Sequence, residues 1–229
     1  MAVTQGKTTG IALNVTRTRV TVLAFNLTII SVMLSLKIGS GEFSHQDALL
    51  QHLPSTVALF VGFCVTVLGL WWLLVSQNQD ELGLSRPWPF TFGAVTTYLA
   101  LSQTTSAFMH EYLAGVKAGI YAAEKSISGS VPGPLGHESL GHTAALTLLT
   151  MGAVTWLLVT YVAPLVTVVR GPLAGRRAWV FSAYYLAIQV PVFWVYAWTW
   201  HIASLAKGAE TNILTAFALQ FVQPLLWFR

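Results

Sequence analysis

The side chains able to do chemistry in this chain are few: six histidines, eight carboxylates and one cysteine in 229 residues. His45, His52, His110, His137, His142 and His201 fall in or beside the same connecting segments as Glu42, Asp47, Glu111, Glu124, Glu138 and Glu210. Grouped imidazoles and carboxylates attract cations and can ligate transition metals. The segment His137-Glu138-Ser139-Leu140-Gly141-His142 comes nearest to a metal motif. Zinc-protease chemistry needs histidines four residues apart on one helix face, whereas five residues turn them about 140° apart. The pair His137 and His142 therefore binds copper or zinc only from a glycine-bordered loop, and otherwise simply hydrates a connection. There is no glycine-rich phosphate loop, and no nucleophile stands with an evident base and orienting partner, so a hydrolase and a nucleotide-driven pump are both disfavoured. Cys64, being alone, closes no internal disulfide.

A second kind of chemistry lies in polar side chains set within apolar sequence. Thr96, Thr97, Ser102, Gln103, Thr104, Thr105 and Ser106 form an unusually polar set. Such hydroxyls bond back to their own helix, bridge to a neighbour, or line a hydrated path. Gln189, Pro191, Gln220, Gln223 and Pro224 carry the same alternatives toward the C-terminus, with kinks added. Asn26, Ile30, Met33 and Lys37 recur three to four residues apart and share a helix face. An amide followed by aliphatics on one face lines a narrow pore that gates by dewetting, or forms a helix interface held by one hydrogen bond. No ionisable residue sits clearly at mid-depth, which counts against a proton-coupled carrier.

Composition sets the elements that position these residues. Only 9% of the chain is charged and 55% is hydrophobic, with a mean hydropathy of +0.64. A soluble domain carries roughly 25% charged residues, so a soluble fold, disorder and nucleic-acid binding are all disfavoured. Six apolar runs, 20–36, 54–76, 87–109, 143–169, 178–206 and 211–228, approach or exceed the roughly 20 residues that span a bilayer. Because lipid satisfies no open backbone, the fold class expected is all-α integral membrane. Six transmembrane helices then make one polytopic domain over 1–229. The first run follows a long polar stretch and lacks a small-residue cleavage pattern, so it reads as a retained helix. A short interfacial helix is expected over 113–125, followed by an outer loop through Gly129 to Pro134.

With the N-terminus inside, Lys7, Arg17, Arg19, Arg86, Arg170, Arg176, Arg177 and Arg229 fall on the inner side. Only Lys37, Lys117, Lys125 and Lys207 fall outside, which favours both ends inside. Most carboxylates and all the histidines then lie on or near the outer side.

In Phe25-Asn26-Leu27, Trp72 and Ser106-Ala107-Phe108-Met109-His110-Glu111-Tyr112, the chain resembles the bacterial six-helix members of the transmembrane protein 175 potassium-channel family. That family opens its pore helix with Phe-Ser-Asp. Here the phenylalanine is kept and the other two are lost. The family's tryptophan near the end of the second helix matches Trp72, while the histidine often found three positions later is Val75. The resemblance implies a homo-oligomer around a central path. Phe25, Asn26, Ile30 and Met33 would line the path, and Trp72, Ser106 and Glu111 would pack the helices. The expected function is passive conduction of a monovalent cation, potassium-like, across a cell inner membrane, with no cofactor. The competing expectation is an integral subunit of a larger redox or metal-dependent complex, its outer histidines binding copper or zinc.

Overall fold

A computed structural model of the chain describes the backbone of residues 3–39, 46–83, 87–127, 136–170, 178–206, 208 and 211–227. Residue burial is described over 17–36, 38, 52–83, 87–112, 115, 146–169, 178–206, 208, 211–225 and 227. Among the described residues the fold is helical throughout: α1 (Val3–Gly39), α2 (Gln46–Glu81), α3 (Pro87–Ile127), α4 (Gly136–Leu157), a π-helical turn (Leu158–Val162), α5 (Ala163–Arg170), α6 (Ala178–Ala206), α7 (Ile213–Gln220) and α8 (Pro224–Trp227).

Four stretches are long and apolar enough to cross a bilayer: Arg17–Leu36, His52–Glu81, Leu146–Val169 and Ala178–Ala206. The chain is thus a multi-pass membrane protein by the length and composition of its helices. Two of the six expected runs differ. The run 87–109 lies in α3, whose threonines, serines and Gln103 lower its hydropathy, and α3 is wrapped by the other helices. The run 211–228 is not one helix. It forms eight-residue α7 and four-residue α8, about 12 Å and 6 Å long at 1.5 Å per residue, against roughly 30 Å of hydrocarbon. The break falls at Pro224, which has no N–H to continue the helix. A further difference lies at 113–125. No break separates an interfacial helix there, because α3 continues unbroken to Ile127.

Two apolar clusters hold the bundle. One joins Ile30, Leu59, Met109, Trp156, Phe193 and Tyr196. The other joins Leu23, Leu73, Val95, Leu99 and Phe181. Between α2 and α3 the backbones come close at Gly93, where a Cβ would lie 2.7 Å from Leu73 Cδ2. Small residues at such crossings let helices approach where lipid offers no hydrophobic drive to association.

Prolines interrupt the helical ladder at several points, among them Pro54, Pro164, Pro191 and Pro224, and tyrosines supply a replacement bond at two of them. Pro164 stands four residues after Thr160 and cannot donate to it, and the Tyr185 hydroxyl donates to Thr160 O instead, at 2.6 Å. Near the α7–α8 break, the Tyr161 hydroxyl donates to Phe221 O at 2.6 Å. Neighbouring helices replacing lost backbone bonds is what makes proline tolerable inside a bilayer.

Candidate functional site

The polar groups of the bundle converge on α3. Pro87 begins the helix, where its missing N–H costs nothing. The hydroxyls of Thr91, Thr96, Thr97, Thr104 and Thr105 each donate to the carbonyl four residues back, at 2.7–3.2 Å. Satisfied at their own backbone, they are tolerated in a buried helix. The remaining polar groups link α3 to its neighbours at successive turns.

At the end nearer Pro87, Tyr184 OH pairs with Thr96 Oγ1 at 2.7 Å and accepts from Trp72 Nε1 at 2.9 Å. Trp72 also stacks on Phe92, their centroids 5.0 Å apart. Further along, Tyr196 OH donates to Gln103 Oε1, and Gln103 Nε2 donates to Ser102 Oγ at 3.0 Å. One turn on, Trp156 Nε1 donates to Ser106 Oγ at 2.8 Å, and Ser106 donates to Gln223 Oε1 at 2.9 Å. Gln223 Nε2 then lies 3.4 Å from His110 Nε2. The series ends at Glu111, which accepts from Ser55 Oγ and lies 3.3 Å from His52 Nδ1. Burial holds the His110 imidazole below its ordinary 6.5, at about 4, while the adjacent Glu111 carboxylate pulls the other way. A neutral imidazole beside a carboxylate, reached through amides and hydroxyls, can pass hydrogen bonds or bind a partly dehydrated cation.

The residues expected to line a pore are arranged differently. Phe25 is 67% exposed, whereas Asn26 is 2% and Ile30 0% exposed. Asn26 Nδ2 donates to Thr66 Oγ1 on α2 at 3.0 Å, and Ile30 Cδ1 lies 3.4 Å from where a Cβ on Gly62 would stand. Met33 packs half-buried against the cluster around Ile30. Within the protomer, Asn26 and Ile30 pack against α2. An apolar-plus-amide face serves either role, and within the protomer this one meets another helix. The three expected packing residues, Trp72, Ser106 and Glu111, all make interhelical hydrogen bonds.

His137 and His142 both lie in α4 by backbone, not in a loop, and their side chains fall outside the described residues. Among the described residues no group of three His, Cys, Asp or Glu side chains could hold a metal ion. The participants that sequence reasoning missed are Tyr184, Tyr196 and Trp156. Their signal was their depth, since tyrosine and tryptophan usually mark membrane interfaces and need a polar partner when placed deeper.

An apolar groove of about 820 Å³ opens between α1, α3 and α4, lined by Phe25, Ile29, Phe108, Met109, Leu148 and Met151 among others. No protein family, curated protein or solved structure matches the chain.

Proposed function

We propose that this membrane protein passes monovalent cations along the polar face of α3 inside each protomer, and not through a pore lined by α1. The observation that carries the reading is the succession of buried polar groups, one or two per helical turn, from Thr96 through Gln103 and Ser106 to His110 and Glu111. α3 is a long helix without a stretch apolar enough to count as a span, it packs against most of the other helices, and the Glu111 carboxylate stands beyond its buried polar groups to concentrate cations. The N-terminus lies inside, following the distribution of Lys and Arg. In this reading α7 and α8 dip into the bundle from the outer end of α6, bringing Gln223 to Ser106 without completing a crossing. Potassium as the cation, homo-oligomeric assembly and residence in a cell inner membrane belong to the same proposal, the first two resting on the family resemblance.

The test is potassium flux into liposomes holding the purified chain. Glu111→Gln should reduce flux roughly tenfold, the equivalent of one lost charge-assisted hydrogen bond. Asn26→Leu should leave it unchanged. Flux no higher than in empty vesicles overturns the proposal, and so does a response to Asn26→Leu with none to Glu111→Gln.

The groove between α1, α3 and α4 favours a second reading, an integral subunit of a larger complex in which a partner's helix fills it. That reading predicts no flux, together with a partner cross-linked through Phe108 or Met151.

A further inference from the structure

Among the described residues, several buried polar side-chain atoms outside the α3 series lack a hydrogen-bond partner, and two of the side chains that carry them, Thr160 and Gln189, lie in facing spans. Thr160 is 0% and Gln189 2% exposed. Among the described residues neither the Thr160 hydroxyl nor either end of the Gln189 amide has a hydrogen-bond partner. Both stand near the middle of their spans, Leu146–Val169 and Ala178–Ala206, where lipid supplies no substitute.

Helical register sets the two at corresponding turns of facing helices. The Trp156 ring stacks with Phe193 at 6.4 Å, and Tyr185 OH reaches Thr160 O at 2.6 Å. The two segments are therefore antiparallel, and one turn forward on the first answers one turn back on the second. Stepping one turn from the Trp156–Phe193 pair sets Thr160 opposite Gln189. The π-helical turn explains why Thr160 is free. Thr66, Thr96, Thr97 and Thr167 in regular helix each donate to the carbonyl four residues back. Thr160 lies within Leu158–Val162, where the wider turn displaces that carbonyl and opens space beside the helix.

We infer that Thr160 and Gln189 form a binding site for one small neutral hydrogen-bonding ligand, a water molecule in the resting protein. The site offers a donor in the amide NH₂, an acceptor in the amide oxygen, and a hydroxyl that serves as either, which matches the two to four partners a buried water takes. Neither span contains a carboxylate, lysine or arginine, so no charge is present to hold an ion. The inference stands whether or not cations pass along α3.

The test has two arms on the full chain in lipid nanodiscs. In a high-resolution structure, ordered density should lie within hydrogen-bond distance of both Thr160 Oγ1 and the Gln189 amide. An isolated peak identifies water and an elongated one an organic hydroxyl or amide. Either upholds the site, and absent density overturns it. In the second arm Gln189→Leu should lower the folded-to-unfolded ratio about tenfold, because the ligand and Thr160 lose their partner together. Adding Thr160→Val should recover most of that loss. If the site is dry and empty, Gln189→Leu removes an unpartnered group and stabilises the protein, and that result refutes the inference.

Discussion

Removing one hydroxyl tests how the interrupted helices are held together. Tyr185→Phe keeps the ring and deletes the donor to Thr160 O. Pro164 denies that carbonyl its helical partner, and lipid offers none, so the variant buries an unpaired acceptor. Leaving such a group unpaired costs about 1–3 kcal/mol. Interhelical polar contacts in membranes average only about 0.6 kcal/mol and reach about 1.7, because the unfolded chain in lipid also finds partners. The two ranges overlap at about 1–1.7 kcal/mol. For a chain of this length each kcal/mol moves the unfolding midpoint by about 2–4 °C, so the expected fall is about 2–7 °C. The nine tryptophans supply the fluorescence signal for a melt in nanodiscs. Pro164→Ala returns an N–H to the carbonyl's position, so Tyr185→Phe should cost clearly less in that background. Equal losses in both backgrounds, or an unchanged midpoint in Tyr185→Phe alone, would refute the capping argument.

Gly93→Ala places a Cβ 2.7 Å from Leu73 Cδ2 and 2.9 Å from Leu73 Cγ. It should destabilise by about 1–3 kcal/mol through overpacking, and Leu73→Ala should restore part of the loss in a denaturation series. Because His110 is held at about 4 against an ordinary 6.5, the unfolded chain binds the extra proton. Stability from this group is therefore complete above pH 6.5 and lost as the pH falls toward 4, by up to about 3 kcal/mol. Comparing wild type with His110→Gln across that window should show the steeper acid loss in the wild type, and parallel curves would contradict the buried-imidazole reading. Asn26→Leu removes one bond to Thr66, which keeps its own 2.6 Å bond to Gly62 O. Its cost should be near the membrane average of about 0.6 kcal/mol, measured by the same melt.

The membrane-spanning helices were legible because lipid imposes a coarse signal: the uncharged run 54–76 lies within His52–Glu81, 178–206 coincides with Ala178–Ala206, and 143–169 overlaps Leu146–Val169. The last run deceived for a local reason. The apolar residues of 211–228 satisfy a hydropathy count, but Pro224 cannot continue a helix and Gln220 and Gln223 are buried, so the segment is better placed folded into the protein. A count of apolar residues measures affinity for an apolar surrounding and does not distinguish lipid from protein.

The same blindness governs the candidate site. Ser106 and Glu111 came to notice through a family pattern and Gln103 through polarity, yet nothing in their spacing named Tyr196, Trp156 or Gln223 as partners, because those contacts join residues 93, 50 and 117 positions apart. Asn26 shows the converse. Its one-sided placement on α1 was legible, but whether that side faces a pore or α2 depends on the helix crossing, which period alone does not specify. In lipid the question is decided by where polar groups find partners, since apolar faces are nearly indifferent to whether they meet tails or side chains. Asn26 finds Thr66 and so turns inward. Thr160 and Gln189 find no protein partner among the described residues, and by the same reasoning their position is where a small polar ligand has to be sought.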